Sequence, residues 1–390
     1  MKLKSPTPFN MKKCLIMLCL IIPQTVLSQD INLARTVLDT LTSVTMWGRG
    51  YTNDGLHKAA NYIDSQFETY GLSPMNGKTF KQAFSFPVNT FPGHMELRVN
   101  GKSLIAGKEF IVMPESIGRI SKGKLEQKDS SVFISSANRI VLVLRDKLTW
   151  AVSNQQADYT GIEVIKTAVT KPETIDINIE NILIPNFTAE NIAGMVKGTK
   201  VPDSFLVFTA HYDHLGGMGR KTFFPGANDN ASGVSLLLNM AKHYAANPAP
   251  YSMVFICFAA EEAGLIGSKY FTEQPLLDLD KIRFLINMDM VGTGETGITV
   301  VNASYYPKEF GLLNEINEDR KYLSKINSRG KTANSDHYFF TEKGVPAFFI
   351  YTNGGIKAYH DVDDRPGTLP FTEYNDLFNL FVDFNRKLTE

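Results

Sequence analysis

The chain has 390 residues, 43% hydrophobic and 21% charged, a globular composition with length enough for one large domain or two moderate ones. Lys and Arg total 40, as do Asp and Glu, so the sustained positive field that a nucleic-acid partner requires is missing. Nucleic acid is not expected among its partners.

Residues 1–28 read as a secretory signal peptide: four lysines, an apolar run from Cys14 to Ile22, and Val26-Leu27-Ser28 placing small residues ahead of a cut before Gln29. That run is too short to span a bilayer. Cys19 follows the bulky Leu18, where a lipoprotein site wants a small residue, so no membrane anchor is expected. The expected location is periplasmic or extracellular. Removing the leader takes away four lysines and no acids, leaving 36 basic residues against 40 acidic ones. It also removes Cys14 and Cys19, so Cys257 stands alone and no intrachain disulfide is possible despite export. Within an apolar run, Cys257 reads as a small buried hydrophobe.

Two helices are predicted over 31–72, "INLARTVLDTLTSV" and "DGLHKAANYIDSQFETYGL", joined by the turn-like "WGRGYTND". The second carries Leu56, Ala59, Ala60, Ile63 and Phe67 near helical spacing and stops before Gly71, a suitable C-terminal cap. From about 80 to 185 short alternating runs such as "HMELRVNG", "EFIVMP" and "NRIVLVLR" predict a β-rich domain or insertion without a catalytic cluster. From 190 onward apolar strands alternate with helices: "FLVFTAHYD", "ASGVSLLLNMAKHYAAN", "YSMVFICFAA", a helix near 264–273, "IRFLINMDMV", "ITVVNA", "PKEFGLLNEINEDRKYL", "VPAFFIYT" and a terminal helix from about 371. This pattern predicts an α/β fold with a mostly parallel central sheet flanked by helices. The division expected is 29–80 with 186–390 as one domain and 81–185 as the β-rich insertion.

In such sheets, sites form at the carboxyl ends of the strands. Those ends carry His211 and Asp213, the pair Glu261-Glu262, Asp289 and His360, with Asp229 in the loop before a helix. One such residue would be an ordinary cap or solvated loop side chain, but five strand ends or adjoining loops together point to metal chemistry. Histidines and carboxylates without cysteine suit Zn²⁺, with Mn²⁺ or Co²⁺ as substitutes. The donors exceed the needs of one open tetrahedral site, and suit two ions about 3.5–4 Å apart sharing a carboxylate and a water. If Glu261 and Glu262 continue an extended strand, they point to opposite sides, one to a metal and one to its water.

Six motifs, "AHYDHLG" (210–216), "PGANDNASG" (225–233), "AAEEAGLIGS" (259–268), "NMDMVG" (287–292), "SDH" (335–337) and "YHDVDD" (359–364), resemble in order and spacing those of peptidase family M28. "GRGY" at 48–51 is similar to the family's N-terminal segment. The resemblance implies a zinc-aminopeptidase-like fold and two zinc ions per chain. It makes His211 and Asp289 ligands of one zinc, Glu262 and His360 ligands of the other, and Asp229 the bridge. Glu261 becomes the general base and Asp213 the residue that holds the His211 imidazole. It further implies a cis Asp229–Asn230 peptide and Asp364 supporting His360, although Asp361 and Arg365 stand where the family often has Thr. The 81–185 segment falls where many members carry a protease-associated insertion, read as a lid, a substrate-positioning module or a plain stabiliser.

The implied activity is removal of N-terminal residues from a peptide substrate with a free N-terminus. Glutaminyl cyclases of related fold and carboxypeptidases of the same family are the alternatives. The cyclases show a Glu-Asp acid pair rather than the double Glu seen here. Non-catalytic relatives such as the transferrin receptor have lost metal ligands, whereas every position is present here. His57, His94 and His243 are expected at the surface or in packing. His214 and His337 either line the pocket or make structural hydrogen bonds, and Phe340, Phe348 and Tyr351 are candidates for shaping it.

Overall fold

The protein is described from a computed structural model covering residues 1–2 and 30–390. The leader expected at 1–28 lies outside the described residues beyond its first two. Helix α1, Ile31–Leu41, begins where the Asp30 carboxylate accepts the N–H groups of Asn32 and Leu33 at 3.1 and 3.0 Å. Helix α2, Gly55–Tyr70, ends on Gly71 at φ +76°, with the Leu72 N–H returning to Phe67 O, and buries the five apolar residues its spacing marks.

A nine-stranded sheet runs through the described residues. Its order is Ser73–Pro74, Ile182–Val196, Tyr251–Phe258, Val201–His211, Ile282–Met288, Ala347–Thr352, Ile298–Val301 and Ile326–Ser328, with Lys81–Thr90 also paired to Ile182–Val196. The four middle strands are parallel and the pairings that attach both wings are antiparallel, so the fold is α/β with a mixed sheet. Parallel pairing, as expected, runs through the middle, where helix α3, Gly233–Ala246, connects two neighbouring strands, and recurs between Ile298–Val301 and Ile326–Ser328 at one edge.

Strand alternation assigns each side chain to a face. Leu206, Phe208, Phe255, Cys257, Phe284 and Ile286 join α1, α2, α3 and the terminal helix in one core. Val207, Val254, Ile256 and Leu285 face the other side, against Phe271 of the helix Ile266–Glu273 and Phe340 of the helix His337–Glu342. Phe340 and Phe348 are fully buried in these cores, which corrects their expected pocket role. Cys257 is buried as expected, and burial pushes its thiol well above the usual range.

Residues 95–179 form two further sheets. One runs Phe110–Val112, Thr160–Ile165, Ile140–Arg145, Val132–Ser135, Glu126–Gln127, and the other Lys102–Ser103, Met95–Val99, Thr174–Ile179, Arg119–Lys124. Their common core also takes in Leu215, Met218, Phe224 and Val362. Among the described residues no helix is long and apolar enough to cross a membrane.

The "GRGY" segment lies flat against the loop after the strand Val201–His211. A Cβ on Gly50 would come 2.3 Å from Gly216 Cα, and one on Gly48, at φ +61°, 2.4 Å from Phe224 O. Neither neighbour is a side chain that could swing away. Gly50→Ala should therefore destabilise the fold by about 1–3 kcal/mol, as overpacking does. A urea midpoint equal to that of the unchanged protein would contradict the close approach.

Candidate metal centre

The predicted site residues lie at the ends of the central strands or in the loops that follow them, His360 farthest from its strand. His211 closes the strand Val201–His211, Asp289 follows Ile282–Met288, and Asp229 sits in the loop before α3. His360 comes eight residues after Thr352, at φ +52°. The strand Tyr251–Phe258 stops short of the acid pair, so the expected extended geometry is not found. Glu261 and Glu262 occupy a turn opened by Ala260 at φ +57° and closed by the N–H groups of Gly264 and Leu265, both bonded to Glu261 O.

The structure brings these side chains together around one carboxylate. Asp229 Oδ1 lies 3.3 Å from His211 Nε2, and Asp229 Oδ2 lies 3.1 Å from His360 Nε2. His211 Nε2 is also 3.3 Å from Asp289 Oδ1, and His360 Nε2 is 3.2 Å from Glu262 Oε2. Donor atoms of His211, Glu261 and Asp289 fall within 4.8 Å of one another, and so do those of His214, Asp229 and Glu262. His214 thus joins the second group: its Nδ1 is 2.7 Å from Glu262 Oε1, and its Nε2 is buried without a partner.

Backbone clamps hold these groups, and two differ from expectation. The Asp213 carboxylate does not hydrogen-bond His211, whose Nδ1 is 3.7 Å from Oδ1 and meets the Asp213 carbonyl oxygen at 3.2 Å instead. Its oxygens accept the N–H groups of Glu261 (3.1 Å) and Glu262 (3.2 Å) and the Tyr51 hydroxyl (3.0 Å), so Asp213 orients the acid pair. Asp364 likewise makes no side-chain hydrogen bond to His360. It accepts the N–H groups of Asn228 and Asp229, steadying the loop that presents Asp229. The acceptor for His360 Nδ1 is the carbonyl of Trp150 at 2.9 Å. The Asp229–Asn230 peptide is cis, as the resemblance implies.

Arg49, which had no role on the sequence alone, is fully buried beneath this loop. Its guanidinium donates to the carbonyls of Tyr212 (2.8 Å), Leu41 (3.0 Å), Pro225 (2.7 Å), Gly226 (2.8 Å) and Asp229 (3.3 Å). Tyr359 was also passed over; its ring stacks on His360 with centroids 4.0 Å apart. Local sequence carries no signal for the Arg49 contacts, whose partners are up to 180 residues away. His337 is buried against Phe349, and burial lowers its pKa to about 4.

The electrostatics test whether a cation fits. Each imidazole directs Nδ1–H at a carbonyl oxygen, so each Nε2 turns its lone pair toward carboxylate oxygens, and Asp289 Oδ1 is buried with no hydrogen bond. Facing lone pairs repel unless a proton or a metal cation lies between them. Without a metal, protons take that place. Burial opposes the charge on His211, but Glu261 and Asp289 hold its pKa well above the usual value. Burial is outweighed likewise at His360, which Glu262 and Asp229 raise to about 11. At Glu262 desolvation and Asp229 act upward, yet His360 and His214 bring it down to about 2. The same field suits a divalent cation in each group, and the nitrogen and oxygen donors suit zinc. Desolvation lifts Glu261 well above the ordinary carboxylate range, apart from the low-pKa Glu262 beside it.

Residues 191–384 match the model of peptidase family M28. Aminopeptidase YwaD of Bacillus subtilis is 31% identical over 266 residues, covering 64% of this chain and 57% of the relative. A probable leucine aminopeptidase of Arthroderma otae is 30% identical over 197 residues, covering 48% of this chain and 54% of its own length. The matches therefore span a little over half the length of these two curated relatives. Among solved structures, a zinc aminopeptidase from Bacillus subtilis superposes with a TM-score of 0.68 at 20% identity, covering 91% of this chain and 95% of that one. A peptidase M28 precursor from Shewanella amazonensis gives 0.70 at 13% identity, covering 93% and 94%.

Proposed function

Because the chain belongs to peptidase family M28, we propose that it is an exported two-zinc aminopeptidase that removes N-terminal residues from peptides. The observation that carries the reading is the division of Asp229 between two imidazoles, Oδ1 toward His211 and Oδ2 toward His360. His211 and Asp289 would hold one zinc, His360 and Glu262 the other, and Asp229 both. Zinc bound there would lower the pKa of an attacking water and polarise the scissile carbonyl. In this reading Glu261 takes the proton from that water and delivers it to the leaving amine. Its raised proton affinity supports the role, since a base that must later act as an acid works best near the operating pH. Asp213 keeps Glu261 and Glu262 at fixed places by gripping both of their N–H groups. Export through the 1–28 leader and the 81–185 insertion belong to the same proposal.

The test is metal analysis with a peptide panel. Zinc-loaded protein should carry two zinc ions per chain, cleave free-amine peptides and spare their N-acetylated counterparts. Equal cleavage of blocked peptides would defeat the aminopeptidase reading, and ammonia release from N-terminal glutamine would favour the cyclase.

A further inference from the structure

His360 lies on a loop rather than at the tip of a strand, so something other than the central sheet must orient it. The contacts come from the β-rich segment 95–179. His360 Nδ1 meets Trp150 O at 2.9 Å, and the Trp150 N–H returns to His360 O at 2.9 Å, a reciprocal pair across 210 residues of chain. Lys147 braces the residues on either side, with Nζ 3.0 Å from Lys357 O, 3.4 Å from Tyr359 O and 3.2 Å from Asp361 Oδ2. Trp150 is itself immobilised. Its ring stacks on Phe224 with centroids 4.7 Å apart, and its indole N–H donates to Val112 O at 2.8 Å. Leu215, Met218 and Phe224, from the stretch between His211 and Asp229, and Val362, two residues past His360, complete the segment's apolar core.

We propose that the β-rich segment is a working part of the metal centre, in which Trp150 is a positioning residue whose carbonyl aims the His360 imidazole. This rests on the proposal that His360 holds a metal ion. A histidine ligand is oriented by what its other nitrogen donates to, and loss of such a partner typically costs 10–100-fold in metal affinity. The segment therefore sets how tightly one of the two ions is held, and movement of the segment against the central sheet would loosen that ion selectively.

The experiment is zinc competition against a chelator, with two sites resolved, on the full chain and four variants. His360→Ala should lose one site. Trp150→Ala keeps the backbone carbonyl but removes the ring and indole N–H that fix it against Phe224 and Val112, and should weaken that same site by about tenfold, the low end of that range, while leaving the other unchanged. Trp150→Phe, which keeps a ring against Phe224, should recover most of the loss, a rescue that a nonspecific folding defect would not confine to one site. Lys147→Met, at a half-exposed side chain, should weaken the same site by about tenfold, the low end of that range, and it decides the matter should Trp150→Ala fail to fold. Two wild-type affinities in Trp150→Ala, or in Lys147→Met when only that variant folds, would overturn the positioning role while His360→Ala still loses a site. Retention of both sites in His360→Ala would instead sink the metal-centre reading, and this inference with it.

Discussion

Glu261→Gln should lower kcat by about 10²–10⁴-fold while KM and a zinc content of two per chain stay near their original values. The substitution keeps the shape of the side chain, and the Glu261 N–H stays bonded to Asp213 Oδ1. It removes the carboxylate that accepts and returns the proton. It also removes a negative charge from a crowded place, because Asp336, Asp289 and Glu262 all act with burial to raise the proton affinity of Glu261. Zinc should still be retained, because in this assignment its ligands are His211, Asp289, Asp229, Glu262 and His360, and Glu261 is not among them. Glu262→Gln is the contrasting variant, since Glu262 Oε2 faces His360 Nε2 at 3.2 Å. That change should deplete one zinc. Measuring kcat and metal content on both variants separates the roles, and a fully active Glu261→Gln enzyme would refute the assignment.

Arg49→Ala should destabilise the fold by at least about 3–5 kcal/mol, the scale of removing one partner from a buried ionic cluster. Burial lowers the pKa of Arg49 to about 10, with Asp229, Asp364, Asp213 and Glu262 supporting the charge, so the guanidinium is positive at neutral pH. Its loss would leave carbonyls of Tyr212, Leu41, Pro225, Gly226 and Asp229 short of a donor, each at a cost of about 1–3 kcal/mol that does not simply add. Against a typical domain stability of about 5–15 kcal/mol this is a large share. Arg49→Lys should fall between, because an ammonium has three donors from one point where the guanidinium has five in a planar fork. Urea unfolding followed by circular dichroism measures both. A loss below about 1 kcal/mol for Arg49→Ala would show that the carbonyls find other partners.

Much of this molecule was legible in the order of its residues. Apolar strands ending at or shortly before His211, Glu261-Glu262 and Asp289 made legible both the sheet and the side of it on which the donors gather, because strand direction and side-chain reach are local properties. The Gly71 cap and the buried stripe of α2 were legible for the same reason. What failed were the assignments of who holds whom. Asp213 was expected to hold His211, two residues away, and does so through its carbonyl oxygen, while its carboxylate grips two N–H groups 48 and 49 residues ahead. Asp364 was expected on His360, and binds a loop about 135 residues earlier. Carboxylates near a histidine in sequence look like its partners, but in the fold they satisfy backbone donors that no motif displays.

The chain's two tryptophans flank the hairpin that follows His211, in which Gly217–Met218 pairs antiparallel with Thr222–Phe223. Trp47 stacks on Phe223 and Trp150 on Phe224, neighbouring rings at the end of that hairpin. Intrinsic fluorescence of this protein is consequently a local gauge: its tryptophan emission comes from the two sides of the stretch joining His211 to Asp229. A spectral change under denaturant or chelator will register that stretch loosening, even where the far wings of the sheet stay intact.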